Sequence, residues 1–98
     1  ERKVREVLEG KKYVEREMKR MGLKTYPSHA NFILIEVGEK NVKPIAEHMY
    51  KHGILIRTGF THNTLKHCIR ITLGPIPKMK YVVQKLEEYM LQTNRLTR

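Results

Sequence analysis

The feature that most constrains this chain is a repeated change of apolar period, from helical spacing to strand-like runs and back, within 98 residues. Val4, Val7, Leu8, Val14, Met18 and Met21 recur at steps of three, four and their sums, so they share one helical face that ends before Gly22, a suitable C-cap. Tyr26-Pro27-Ser28 reads as a turn or extended passage, because proline restricts the residue before it to β or polyproline geometry. Phe32-Ile33-Leu34-Ile35-Glu36-Val37 is β-branched and aromatic, with apolar residues on both faces, which predicts a central strand. Gly38 ends it and Asn41 is a candidate N-cap for a short helix lined by Val42, Ile45, Ala46 and Met49 that stops at Gly53. Residues 54–57 predict a second strand, and Ile69, Ile71 and Leu73, alternating with Arg70 and Thr72, predict a third with one buried and one polar face. Gly74-Pro75 closes that strand, Pro77 suits an early helical position, and Met79, Val82, Val83, Leu86 and Met90 line a last helix. The expected fold is α+β in the order α-β-α-β-β-α, a small three- to four-stranded sheet with flanking helices, forming one domain over residues 1–98. Residues 92–98 are polar and read as a frayed end.

Hydrophobic residues make up 40% of the chain, enough for one modest core. No apolar run approaches the roughly 20 residues that span a bilayer, and Glu1-Arg2-Lys3 is unlike the start of a signal peptide, so the expectation is a soluble cytoplasmic protein. The first helix has no N-cap signal and reads as starting mid-element, which suggests a piece of a longer protein. Cys68 is the single cysteine, which fits a reducing compartment and leaves no Cys-x-x-Cys pair for zinc or redox chemistry. The formal charge of +10 raises the question of nucleic acid, but the cations are dispersed and interleaved with Glu6, Glu9, Glu15 and Glu17, as on a solvated helix face. Neither a nucleic-acid nor a membrane partner is therefore expected. Every acid in the chain is a glutamate.

Some residues invite a chemical reading. His48 and His52 stand four apart on the second helix, a metal-sharing spacing, but no acidic partner sits within the motif beyond Glu47, which points elsewhere, so no metal site is expected. His62, His67 and Cys68 could be drawn as ligands or as a Cys-His pair; neighbours in a strand point to opposite faces, however, and no third orienting group is evident. Arg70 is more informative, because a guanidinium amid Cys68-Ile69-Arg70-Ile71-Thr72-Leu73 either meets an anion or, on an edge strand, reaches solvent or pairs with a glutamate. Arg57 poses the same question, and if the two strands are neighbours both arginines could grip one dianion through bidentate hydrogen bonds.

Tyr26-Pro27-Ser28-His29-Ala30-Asn31-Phe32-Ile33-Leu34, Gly53-Ile54-Leu55-Ile56-Arg57 and Ile69-Arg70-Ile71-Thr72-Leu73-Gly74 together resemble, in content, order and spacing, the C-terminal small domain of class I/II (fold type I) pyridoxal-phosphate-dependent aminotransferases. The resemblance runs from the first helix to about Met90 and is nearest the histidinol-phosphate type and its threonine-phosphate decarboxylase relatives; aspartate and aromatic aminotransferases share the framework. It implies that Arg70 binds the substrate α-carboxylate, that Arg57 helps hold a phosphate or second carboxylate, and that Asn31 orders the backbone near the site entrance. It further implies amino-group transfer between glutamate and a phosphorylated or dicarboxylic keto acceptor, a homodimeric parent enzyme and a role in histidine biosynthesis. Gly74-Pro75-Ile76-Pro77 departs from the Gly-Thr and acidic residues of many relatives, so entry to the last helix is expected to differ.

The chemistry of that family needs a Schiff-base lysine and an acid on the pyridinium nitrogen. The chain has no aspartate, and its single serine, Ser28, heads no Ser-x-x-Lys motif. Both groups, with the aromatic residue that stacks on the ring, lie in the family's large domain. No catalytic residue is therefore expected on this chain, and alone it is expected neither to hold pyridoxal phosphate nor to transaminate. Two other classes remain: a basic nucleic-acid-binding module, favoured by net charge alone, and an oligomerisation fragment associating through exposed apolar surface.

Overall fold

A computed structural model describes residues 2–27, 31–60 and 65–92. Helix α1 (Arg2–Arg20) leads into strand β1 (Lys24–Pro27) and strand β2 (Phe32–Glu36); helix α2 (Glu39–Lys51) follows, then a 3-10 turn (Leu65–His67), strand β3 (Cys68–Thr72) and helix α3 (Ile76–Gln92). The strands form one antiparallel sheet in the order β1-β2-β3, so β2 is central as its two-sided apolar pattern predicts. The fold is α+β with a three-stranded sheet, as expected.

The order of elements is α-β-β-α-β-α and not the expected α-β-α-β-β-α. Lys24–Pro27 pairs with β2, Lys24 opposite Glu36 and Pro27 opposite Ile33, where a turn or extended passage was read. Its lysine and proline suit an edge strand, where a missing N–H costs no ladder bond. Residues 54–57, expected to be a strand, contribute a single bridge, Arg57 opposite Arg70. The cause is local. Gly53 takes φ +80°, and the Ile54 N–H is spent on the Met49 carbonyl at the end of α2, at 2.9 Å, before the chain reaches the sheet.

Asn41 is also corrected. The residue ahead of α2 is Gly38, and Asn41, buried within the first turn, donates its side-chain N–H to the Val37 carbonyl at 2.7 Å. Gly22 does end α1 with φ +77°, its N–H on Lys19 and the Leu23 N–H on Met18. Residues 28–30 and 61–64, including His62 and part of the first motif, and residues 93–98 lie outside the described residues.

Burial alternates along β2, with Ile33 and Ile35 inaccessible and Phe32, Leu34 and Glu36 half-buried. In β3, Ile69 and Ile71 lie opposite Ile35 and Ile33, so four isoleucines form one apolar face. Val14 and Met18 of α1, Ile45 and Met49 of α2, and Met79, Val82, Val83, Leu86 and Met90 of α3 join them in one core cluster. The stripe of α1 is buried only in part: Val4 and Leu8 stay exposed, ahead of the segment that packs on α3.

Gly10 marks the closest approach of α1 to the loop before α3, where a Cβ would overlap the Gly74 carbonyl oxygen and crowd Met79. Further along, Arg20 grips Glu87 of α3 with both terminal nitrogens, at 3.0 and 2.8 Å, while also pairing with Glu17. The guanidinium holds the Glu87 carboxyl below its ordinary value of 4.5 and is itself held more firmly protonated. A carboxyl whose pKa is lower in the folded state contributes stability above its unfolded value and loses it as pH falls through the folded value.

Two measurements follow. Gly10→Ala is expected to cost about 1–3 kcal/mol in urea unfolding, the usual cost of overpacking a rigid contact; a stability equal to the parent would contradict the close approach. Glu87→Gln is expected to lower the urea midpoint at pH 7 but to converge with the parent once the pH is well below 4.5. A gap unchanged across that range would contradict the carboxylate–guanidinium contact.

Candidate functional site

The face of the sheet opposite the helices carries the polar chemistry, because the pleat that turns Ile69 and Ile71 inward turns Arg70 outward. Arg57 and Arg70 exchange both backbone hydrogen bonds, the Arg57 N–H to the Arg70 carbonyl at 3.0 Å and the reverse at 2.9 Å. Residues directly opposed in such a pair project from the same side of the sheet, so two guanidinium groups share one face, as the sequence suggested they could. Arg57 is exposed and Arg70 half-buried. The Arg70 guanidinium carbon lies 4.6 Å from the centroid of the Phe32 ring, a cation–π contact that restrains the head group. Among the described residues, no carboxylate forms an ion pair with either arginine.

The acid of this face is occupied elsewhere. Tyr26 donates its hydroxyl to a Glu36 oxygen at 2.7 Å, and this bond pushes the phenol pKa up from 10.0. The Lys24 ammonium sits 5.1 Å from the Tyr26 ring centroid. The open face thus runs from a carboxylate–phenol–ammonium group across β1 and β2 to a pair of arginines on β3 and its flanking segment, with half-buried Leu34, opposite Arg70 and Tyr26, between them.

Asn31 lies at the end of this sheet, exposed, in the bend that leads into Phe32. Its carbonyl accepts from the Leu73 N–H at 2.8 Å, extending the β2–β3 pairing by one step beyond Phe32 and Thr72. The backbone of Asn31 therefore ties down the strand end that carries the ring under Arg70.

The Cys-His reading does not survive the geometry. Cys68 is inaccessible and burial pushes its thiol pKa up, the opposite of an activated nucleophile. His67 is half-buried in the 3-10 turn, where its carbonyl accepts from the N–H groups of Val37 and Gly38 at 2.9 and 3.1 Å. His48 on the last turn of α2 and His52 at its C-cap lie beside α3 and apart from the open face.

Pyridoxal phosphate, which the resemblance implies for the parent enzyme, finds no matching anchor in these residues. The sequence offers no aspartate, and none of the lysine side chains among the described residues is buried, whereas a Schiff-base lysine needs a desolvated setting to be an amine at neutral pH. What the chain does supply is a pair of arginines directly opposed on one sheet face.

The sequence profile described as "Aminotransferase class I and II" matches residues 1–86. Histidinol-phosphate aminotransferase 1 of Carboxydothermus hydrogenoformans is 34% identical over 87 residues, covering 89% of this chain. The corresponding enzyme of Clostridium novyi is 42% identical over 69 residues, covering 69% of it. The chain spans only 24% and 18% of the lengths of these two relatives. The crystal structure of histidinol-phosphate aminotransferase from Sinorhizobium meliloti in complex with pyridoxal-5'-phosphate superposes with a TM-score of 0.76 at 27% identity, over 90% of this chain and 24% of that one. Sequence profile, relatives and fold agree, and this chain belongs to the class I and II aminotransferase family.

Proposed function

We propose that this chain is the C-terminal small domain of a histidinol-phosphate-aminotransferase-like enzyme, a single substrate-gripping unit whose cofactor-binding large domain lies outside these residues. The observation that carries this reading is the pairing of Arg57 and Arg70 on the sheet face opposite the core, which no helix among the described residues covers. In this reading Arg70 takes the α-carboxylate of the amino donor, glutamate, and Arg57 takes the phosphate or second carboxylate of the keto acceptor. Asn31 holds the strand end beneath them. The relatives' names support an aminotransferase of the histidinol-phosphate type, and the cofactor named with the Sinorhizobium structure supports pyridoxal phosphate in the parent enzyme.

The chain's part in the reaction is binding and orientation. A guanidinium presents a fixed fork of donors, so a carboxylate docked on Arg70 is restricted in rotation as well as position. The Phe32 ring beneath it removes rotameric freedom before the substrate arrives. Glutamate carries charge at both ends, and two cations set side by side orient it where a single one would only attract it. Exposed Val4, Leu8 and Leu55 give the large domain apolar surface to cover, and a large domain closed over the sheet face would exclude water from the arginines and strengthen their grip. The cofactor's lysine and acid belong to the large domain, and a homodimeric, cytoplasmic enzyme completes the reading. Among the described residues, no helix is long and apolar enough to cross a membrane.

In the full-length enzyme, Arg70→Ala is expected to lower kcat/KM for glutamate by roughly 30- to 160-fold, the equivalent of about 2–3 kcal/mol for a lost charged hydrogen-bond pair. Arg70→Lys is expected to recover only a small part, because a point charge cannot reproduce the bidentate fork. Steady-state kinetics with the cofactor spectrum as a folding control decides it: an intact spectrum with unchanged glutamate kinetics would remove Arg70 from the site.

A further inference from the structure

His48 on the last turn of α2 and His52, the residue that caps its C-terminus, have no acidic partner within their own motif; the fold supplies one from α3. One ligand atom from each of His48, His52 and Glu88 lies within 4.8 Å of the other two. All three side chains are half-buried, sheltered from bulk water without being sealed from it. The two imidazoles meet edge to face, ring centroids 4.8 Å apart, with the Tyr89 ring 5.7 Å from that of His48. We propose that His48, His52 and Glu88 bind a divalent transition-metal ion of the zinc class, bridging α2 and α3.

The donor set selects the metal. Two imidazoles with one carboxylate suit Zn²⁺, Co²⁺ or Ni²⁺ and not the all-oxygen preference of Mg²⁺ or Ca²⁺. Three protein ligands leave a fourth tetrahedral position for water. The neighbouring groups are arranged for the same purpose. A carbonyl oxygen can only accept, so the His48 Nε2–H donates to the Lys85 carbonyl at 2.9 Å, which makes Nδ1 the ring nitrogen open to a metal. Imidazoles that ligate metals are commonly held this way, the second ring nitrogen donating to a carbonyl. Tyr81 of α3 donates its hydroxyl to the His52 carbonyl at 2.8 Å, fixing the end of α2 against α3.

Donor atoms around tetrahedral zinc lie roughly 3.4 Å apart, given bonds of about 2.1 Å. Side-chain rotation must therefore draw the three groups together from their present spread, and half-buried groups can make that movement. One cation stands in competition: the Lys85 ammonium lies 3.3 Å from both Glu88 oxygens. A metal must displace it, so Lys85 sets the affinity. The site lies on the helical layer, apart from the arginine face, and it does not depend on the proposed substrate chemistry.

Isothermal titration of the purified, tag-free protein with Zn²⁺ tests the site, with Co²⁺ absorption as a second readout. One equivalent of Zn²⁺ is expected to bind, and Co²⁺ to give the intense visible bands of tetrahedral coordination. His52→Ala and Glu88→Gln are each expected to weaken binding by roughly tenfold or more, as losses around metal sites do. His67→Ala is expected to leave binding unchanged. Lys85→Gln keeps the backbone carbonyl that His48 uses and removes the competing charge, so it is expected to tighten binding, an outcome that damage to the fold would not produce. The absence of one-equivalent binding, or equal affinities for the parent, His52→Ala and Glu88→Gln proteins, would overturn the proposal.

Discussion

The two-residue period of β3 couples the core to the arginine face. Ile69 and Ile71 must enter the space beneath the helices to close the core, opposite Ile35 and Ile33, and a strand that turns those residues inward can only turn Arg70 outward. A shift of one residue in the pairing would bury a guanidinium without a partner and expose two isoleucines, each strongly unfavourable. The register that the core demands is thus the register that presents Arg70, and the bridge to Arg57 adds the second cation at the same level. Everything built on the open face, including the contact of Arg70 with Phe32, follows from that register.

Much of this was legible in the residues, for identifiable reasons. The apolar periods of α1, α2 and α3 and the buried face of Ile69 and Ile71 emerge directly from spacing, whereas the two-sided apolar run of β2 does not single out Ile33 and Ile35 from Phe32 and Leu34. Arg70 stood out because a charge within a β-branched strand needs a destination. β1 was less visible, because its four residues, Lys24–Pro27, carry the lysine and proline that protect an edge strand and also make it resemble a loop. Residues 54–57 failed in the opposite direction: their composition favours a strand, but the Ile54 N–H caps α2, and only Arg57 reaches β3. Glu88 could not be linked to His48 and His52 by spacing, since the contact depends on how α2 and α3 cross.

The domain has two surfaces of different character. Its helical layer is closed on itself, pinned at one end by Gly10 against Gly74 and at the other by Arg20 on Glu87. Among the described residues its sheet is covered by helices on one face only, with the arginines, Phe32 and Leu34 on the other. The metal site proposed on α2 and α3 would stiffen the closed layer without reaching the arginine face.

The most direct measurement is a crystal structure of the full-length enzyme with a bound dicarboxylate such as maleate. A carboxylate on the Arg70 guanidinium, with the second within reach of Arg57 and the sheet face covered by the large domain, is the predicted result. A dicarboxylate bound in the active site with both arginines turned to solvent would contradict the assignment of this face to substrate binding.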